Sequence, residues 1–177
     1  MMSGVDRNRG FWRQGALVVV TALLLAGCSS LGIASKSTFG DAQAQAAALP
    51  TISGDYTADT ALADARAHFS NNDFGYSAAL YKRVVELSPK DPQGYVGLGA
   101  SYDRLRRFDL SDRIYAALFQ LTGATAQYYN NVGYSYMLRG NLTAALTNFR
   151  KAKALAPDSV VVANNLQIVA NAVAARA

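Results

Sequence analysis

The sequence predicts an all-α solenoid of three helix–turn–helix repeats plus a C-terminal capping helix, preceded by an export signal and a flexible tether. Three observations carry this expectation. From residue 58 onward, residue types recur in step every 34 positions. The recurring positions hold small residues and aromatics, the pairing that two closely packed helices need. The start of the chain differs in composition, with an apolar run behind a cluster of arginines. The chain has 177 residues, 51% of them apolar, which suits one folded domain.

The first element is the signal, residues 1–27. Arg7, Arg9 and Arg13 precede "ALVVVTALLLA", Ala16 to Ala26. Eleven helical residues span only ~16 Å, about half a bilayer core, so this is a signal core and not a membrane span. It ends in Leu25-Ala26-Gly27-Cys28. That tetrapeptide resembles the lipobox of bacterial lipoproteins, in which the chain is cut before a cysteine that is then lipidated. Cys28 is the only cysteine, which leaves no disulfide and no cysteine metal site. Acyl chains on it would anchor the protein, each buried CH₂ contributing ~0.8 kcal/mol. Ser29 follows, not the aspartate that retains such lipoproteins at the inner membrane, so the resemblance implies the periplasmic face of the outer membrane.

Residues 28–55 form the lipidated N-terminus and the tether. Ser, Gly, Ala and Gln dominate, and Pro50 and Gly54 interrupt any periodicity. A short helix in "DAQAQAAA" is the alternative. After removal of the signal the charge is 14 − 11 = +3, mildly basic. Export makes nucleic acid an unsuitable partner.

The repeats follow at 58–91, 92–125 and 126–159, within a folded region of 56–159. Pro89, Gly123 and Pro157 keep the 34-residue step, as do Phe74, Phe108 and Leu142, and Tyr81, Tyr115 and Phe149. Leu98, Val132 and Leu166 keep it too, with Gly99 and Gly133 beside them. This period, with small and aromatic residues in fixed phase, is the signature of the tetratricopeptide repeat (TPR). Repeats two and three carry Tyr95-x-x-Leu98-Gly99-x-x-Tyr102 and Tyr129-x-x-Val132-Gly133-x-x-Tyr136. Gly99, Gly133, Tyr102 and Tyr136 are therefore expected in the seam between paired helices. Repeat one lacks this consensus, and its His68 occupies the tyrosine position, where a seam-packing role is expected. Residues 160–177 form the capping helix, a fourth first helix with Gln167 at the glycine position. Its surplus of apolar residues reads as a cap or as a docking edge.

"SYDRLRRFDLSDRIY" and "NNVGYSYMLRG" resemble the TPR lipoproteins of the Tad (tight adherence, Flp pilus) system, the TadD family. The resemblance covers roughly residues 58–170 and shares the lipobox. It implies a pilotin-like outer-membrane lipoprotein that assists assembly or localisation of the pilus secretin or another pilus component. A general envelope adaptor, in outer-membrane biogenesis or for a cell-wall enzyme, is the alternative. The chain departs from the repeat pattern at Arg106, where the turn usually has glycine.

No catalytic or metal-ligand set is present in the sequence: His68 is the sole histidine and Glu86 the sole glutamate. The protein is read as a non-enzyme with no cofactor apart from covalent lipid on Cys28, and no small-molecule substrate. What remains is binding to a protein partner. The second, fifth, ninth, twelfth and thirteenth positions of each first helix line the groove of such repeats. They supply Arg66 and Phe69, then Gln93, Val96, Asp103 and Arg104, then Gln127, Asn130, Tyr134 and Met137, and last Asn164. Side-chain amides there suit an extended peptide backbone. One asparagine of each pair, Asn131 and Asn165 foremost, serves alternatively to tie adjacent helices. Arg104, Arg106 and Arg107 read either as a solvated turn or as a basic docking patch.

Replacing Cys28 by alanine is expected to shift the protein from the membrane fraction to the soluble fraction. Persistent membrane attachment would contradict the lipobox reading.

Overall fold

A computed structural model describes residues 48–176; the signal, Cys28, Ser29 and the tether up to residue 47 lie outside the described residues. Seven helices follow in order: α1 (Ala58–Ser70), α2 (Phe74–Leu87), α3 (Pro92–Arg104), α4 (Phe108–Thr122), α5 (Ala126–Leu138), α6 (Leu142–Leu155) and α7 (Val160–Ala174). Among the described residues there is no strand. The all-α repeat architecture read from the sequence is the one observed. None of the described helices is long and apolar enough to cross a membrane.

Each first helix starts on a residue built to cap it. Thr57, Asp91, Thr125 and Ser159 stand 34 residues apart, and each side chain accepts a hydrogen bond from a backbone N–H of the first turn. Such caps satisfy otherwise orphaned donors and contribute ~1 kcal/mol each. The turns between paired helices are equally periodic. Asn72, Arg106 and Gly140 all adopt positive φ, at 61°, 58° and 77°. Only Gly140 does so freely; the left-handed conformation costs an L-residue ~1–2 kcal/mol, so Arg106 holds a strained turn. Its guanidinium lies over Phe108 at 5.2 Å and donates to the Leu138 carbonyl of the next repeat at 3.5 Å.

Aromatics on second helices lie against glycines on first helices. A Cβ at Gly99 would stand 2.6 Å from the Tyr115 ring, and one at Gly133 would stand 2.9 Å from Phe149. Repeat one solves the same problem differently. Its glycine position holds Ala65, which is fully buried, and Tyr81 lies against Gly97 of the next repeat. There a Cβ would come within 2.1 Å of the ring. Burial raises the Tyr81 phenol above its ordinary pKa, and the nearby Arg66 guanidinium offsets part of that.

Two apolar clusters result. The first gathers Ala61, Leu62, Ala78, Leu80, Val84, Leu98 and Tyr102 around Tyr81, and the second centres on Ala145, Phe149 and Val169. Tyr136 packs on the second cluster, so both seam tyrosines contribute to cores. The chain ahead of α1 is packed rather than free. Leu49, Ile52 and Tyr56 lie against the first cluster, and Pro50 stands 3.5 Å from the Cβ position of Gly75. The expected tether through residue 55 is thus corrected: from Leu49 on, apolar side chains find a core to cover. His68 is corrected too. Its Nδ1 lies 2.9 Å from the Asp73 carboxylate and its ring stacks on Tyr76, at the half-exposed end of α1 rather than in the seam.

Gly97→Ala is expected to lower stability by ~2–3 kcal/mol, the ring clash outweighing a helix-propensity gain of ~1 kcal/mol. Gly133→Ala should lose less, because its clash is shallower. Denaturant midpoints check this; a Gly97→Ala protein as stable as the parent would contradict the packing.

Candidate functional site

The first helices touch in succession, α1 with α3, α3 with α5 and α5 with α7, whereas α2, α4 and α6 do not touch one another. The stack therefore curves with the first helices on its inner side. The same register that names the groove residues extends to α7, where it selects Val161, Asn164, Ile168 and Asn171. Val161 and Ile168 are 62% and 55% exposed. Of the apolar surplus of the capping helix, read from sequence as a cap or a docking edge, Val161 and Ile168 fall in the groove register, whereas Val169 is buried.

Most sequence-derived groove residues reach this surface. Arg66, Gln93, Arg104, Gln127 and Asn164 are exposed, and Phe69, Val96, Asn130, Tyr134 and Met137 are half-buried. Arg66 donates to the Gln93 side-chain oxygen across α1 and α3. Arg104 lies 4.1 Å over the Phe74 ring and donates to Asn72 at 3.2 Å. Among the described residues, neither arginine pairs with a carboxylate. Tyr134 and Met137 rest on the second apolar cluster and form part of the groove floor.

Asp103 is a correction. It is 1% exposed and takes no part in the open surface. Its Oδ2 accepts from the Tyr115 hydroxyl at 2.8 Å and its Oδ1 from the Ser135 hydroxyl at 2.6 Å. Arg139 in turn donates to Ser135 at 2.8 Å, to Asp112 Oδ2 at 2.9 Å and to Asp112 Oδ1. Burial first, then the Asp103 carboxylate, push the Tyr115 phenol well above its ordinary pKa, so it stays a donor. The hydrogen bond to Asp112 raises Arg139 as well. A second buried pair joins the earlier repeats: the Ser77 and Ser101 hydroxyls lie 3.0 Å apart, and Ser101 donates to the Gly97 carbonyl at 2.8 Å. These serines escaped the sequence reading, although Ser77 and Ser111, and Ser101 and Ser135, each stand one period apart.

Of the two asparagines expected to tie adjacent helices, Asn165 does so and Asn131 does not. Asn165 Nδ2 donates to Asn130 Oδ1 at 2.9 Å, so Asn130, placed in the groove by register, is the one tied to the next helix. Asn131 turns inward, and its buried amide nitrogen has no acceptor. The three arginines of the α3–α4 turn form no common patch. Arg104 faces repeat one, Arg106 reaches repeat three, and Arg107 stacks on Tyr102 at 5.4 Å. A cleft of about 670 Å³ lies elsewhere, between residues 49–56 and α2. Its Lys82 and Arg83 both pair with Glu86, at 3.8 and 3.4 Å, and it includes no groove residue. Among the described residues, no His, Asp and Glu side chains cluster as metal ligands.

The tetratricopeptide repeat family model matches residues 126–159, the third repeat. Among solved structures, the first TPR domain of human RPAP3 aligns with a TM-score of 0.59 at 17% identity, covering 69% of this chain and 96% of that one. This is the tetratricopeptide-repeat fold. The second TPR domain of human RPAP3, in complex with an HSP70 peptide, aligns with a TM-score of 0.54 at 13% identity, over 63% of this chain and 93% of that one. The Yersinia enterocolitica type III secretion chaperone SycD, in complex with a peptide of the translocator YopD, gives 0.53 at 14%, over 63% and 90%. No curated protein sequence matches the chain. At such identities the likeness concerns the fold, and the side chains of this TPR groove are its own.

Asp103→Ala is expected to cost about 3 kcal/mol, since it strands two buried hydroxyl donors. Asp109→Ala, exposed on the first turn of α4, should stay within about 0.5 kcal/mol of the parent. Equal melting temperatures for the two variants would contradict the buried network.

Proposed function

We propose that this protein is a non-catalytic TPR scaffold whose inner groove holds an extended segment of a protein partner. The observation that carries the reading is the gradient along that groove. At one end stand two guanidiniums without carboxylate partners, Arg66 and Arg104. At the other, exposed Val161 and Ile168 flank the Asn164 amide, beside the half-buried Tyr134 and Met137. A segment with a carboxylate at one end and an apolar side chain toward the other matches this distribution, its backbone met by Gln93, Gln127 and Asn164. Two solved TPR structures of the same fold hold bound peptides, from HSP70 and from a translocator.

The proposed partner and place rest on the sequence. The lipobox at Cys28 supports a lipid-anchored protein on the periplasmic face of the outer membrane. The likeness of "SYDRLRRFDLSDRIY" and "NNVGYSYMLRG" to Tad/Flp lipoproteins supports a pilotin-like role toward a secretin or another pilus component. Leu49, Ile52 and Tyr56 pack on repeat one, so the tether proposed from the sequence is shorter than residues 28–55. The acyl anchor would hold the groove near the site of secretin assembly, where a tethered scaffold gains effective concentration over a free one.

The test is co-isolation of the secretin with the full-length lipoprotein. Arg104→Ala combined with Ile168→Asp should reduce recovery by about tenfold or more, equivalent to ~1.4 kcal/mol, while the melting temperature stays unchanged. Undiminished recovery would contradict use of the groove, and recovery of no pilus component with the parent protein would contradict the pilus assignment.

A further inference from the structure

We infer that a second interface exists, a cleft between α6 and α7 that seats one amphipathic helix of a partner protein. The fold itself displays what such a seat accepts. In repeat three, α5 presents Tyr129, Val132, Gly133 and Tyr136 in register, and α6 lies on them: Phe149 covers Gly133, and Lys151 sits 5.1 Å over the Tyr129 ring. One period later the same positions on α7 are Ala163, Leu166, Gln167 and Ala170. All four line an open cleft of about 410 Å³ whose other wall is α6.

The side chains define the occupant. Alanines at 163 and 170 replace two tyrosines, which widens the seat. Gln167 replaces the glycine, and its amide is held against Asn171 at 2.7 Å. An aromatic like Tyr115 or Phe149 therefore meets an obstacle there, and the occupant must carry a small residue at that point. Leu166 supplies an apolar floor, half-buried against the second cluster. The rim is cationic: Arg150 and Lys153 line the cleft, and among the described residues neither pairs with a carboxylate. Lys153 instead donates to the Pro157 carbonyl. The seat thus selects an apolar helix face with a small residue at its centre and acidic flanks. This face is separate from the groove register of Val161, Asn164 and Ile168, so it serves a second contact and does not depend on groove occupancy.

The native occupant of the equivalent seat supplies the probe: a labelled peptide of residues 141–156, carrying Phe149→Ala, Arg150→Glu, Lys151→Glu and Lys153→Glu. Binding to the full-length lipoprotein in nanodiscs is read by fluorescence anisotropy. The acidic peptide should bind saturably, and the unsubstituted peptide about tenfold more weakly. Ala163→Tyr or Ala170→Tyr in the protein should weaken the acidic probe by about tenfold or more, and Arg104→Ala in the groove should leave it unchanged. Should the tyrosines unfold the protein, Arg150→Glu reads the same seat from the rim, reversing the preference between the two peptides. Absence of saturable binding, or binding indifferent to all three cleft variants, would overturn the inference. So would a protein dimer abolished by Ala170→Tyr, which assigns the face to a second copy, or cleft-dependent binding to phosphatidylglycerol vesicles, which assigns it to lipid.

Discussion

The structure depends on one kind of contact, an aromatic ring packed against a glycine of a neighbouring helix. Tyr115 on Gly99 and Phe149 on Gly133 bring paired helices close enough for their apolar stripes to interlock. Tyr81 on Gly97 does the same between repeats one and two. Repeat one has Ala65 where the other repeats have glycine, and its buried Tyr81 links that repeat to the next through Gly97. Local divergence from the repeat consensus has become a joint between repeats. A solenoid needs such joints, because each repeat has only its neighbours to pack against.

The joint between repeats two and three is polar. Asp103, Tyr115 and Ser135 form a buried chain of donors and acceptors between the two apolar clusters, continued by the part-exposed Arg139. Tyr115 serves the seam of repeat two and this joint at once, its ring touching Gly99 and its hydroxyl reaching Asp103. A buried carboxylate is tolerable only when its lone pairs are met, and here both oxygens are. Hydrogen bonds fix direction as well as distance, so this layer sets the rotation of α5 on α3. That rotation presents Tyr134 and Met137 to the groove floor.

Much of this was legible in the sequence because the seam constrains residue size. A ring and a glycine must recur in step, and they do, which exposed the 34-residue period, the helix pairs and the groove register. The caps at Thr57, Asp91, Thr125 and Ser159 follow the same period and add a further legible phase. Gly97 was not legible, since Ala63 and Asn131 stand one period away on either side and no repeat marks it. Asp103 was misplaced because register places a Cα on the groove side but does not show where two hydroxyls draw its carboxylate. Asn130 was likewise claimed by its neighbour helix. The packed stretch from Leu49 to Tyr56 lacks periodicity altogether, and only the core beneath it explains its order.

The central claim is that partners meet the inner face of the stack, and crosslinking in living cells tests it most directly. A photoreactive residue would replace Gln93 or Ile168 in the groove, with Arg113 on the exposed surface of α4 as the contrast. The account predicts a shared adduct from the two groove positions and none from position 113. An adduct from position 113 with none from the groove would contradict it.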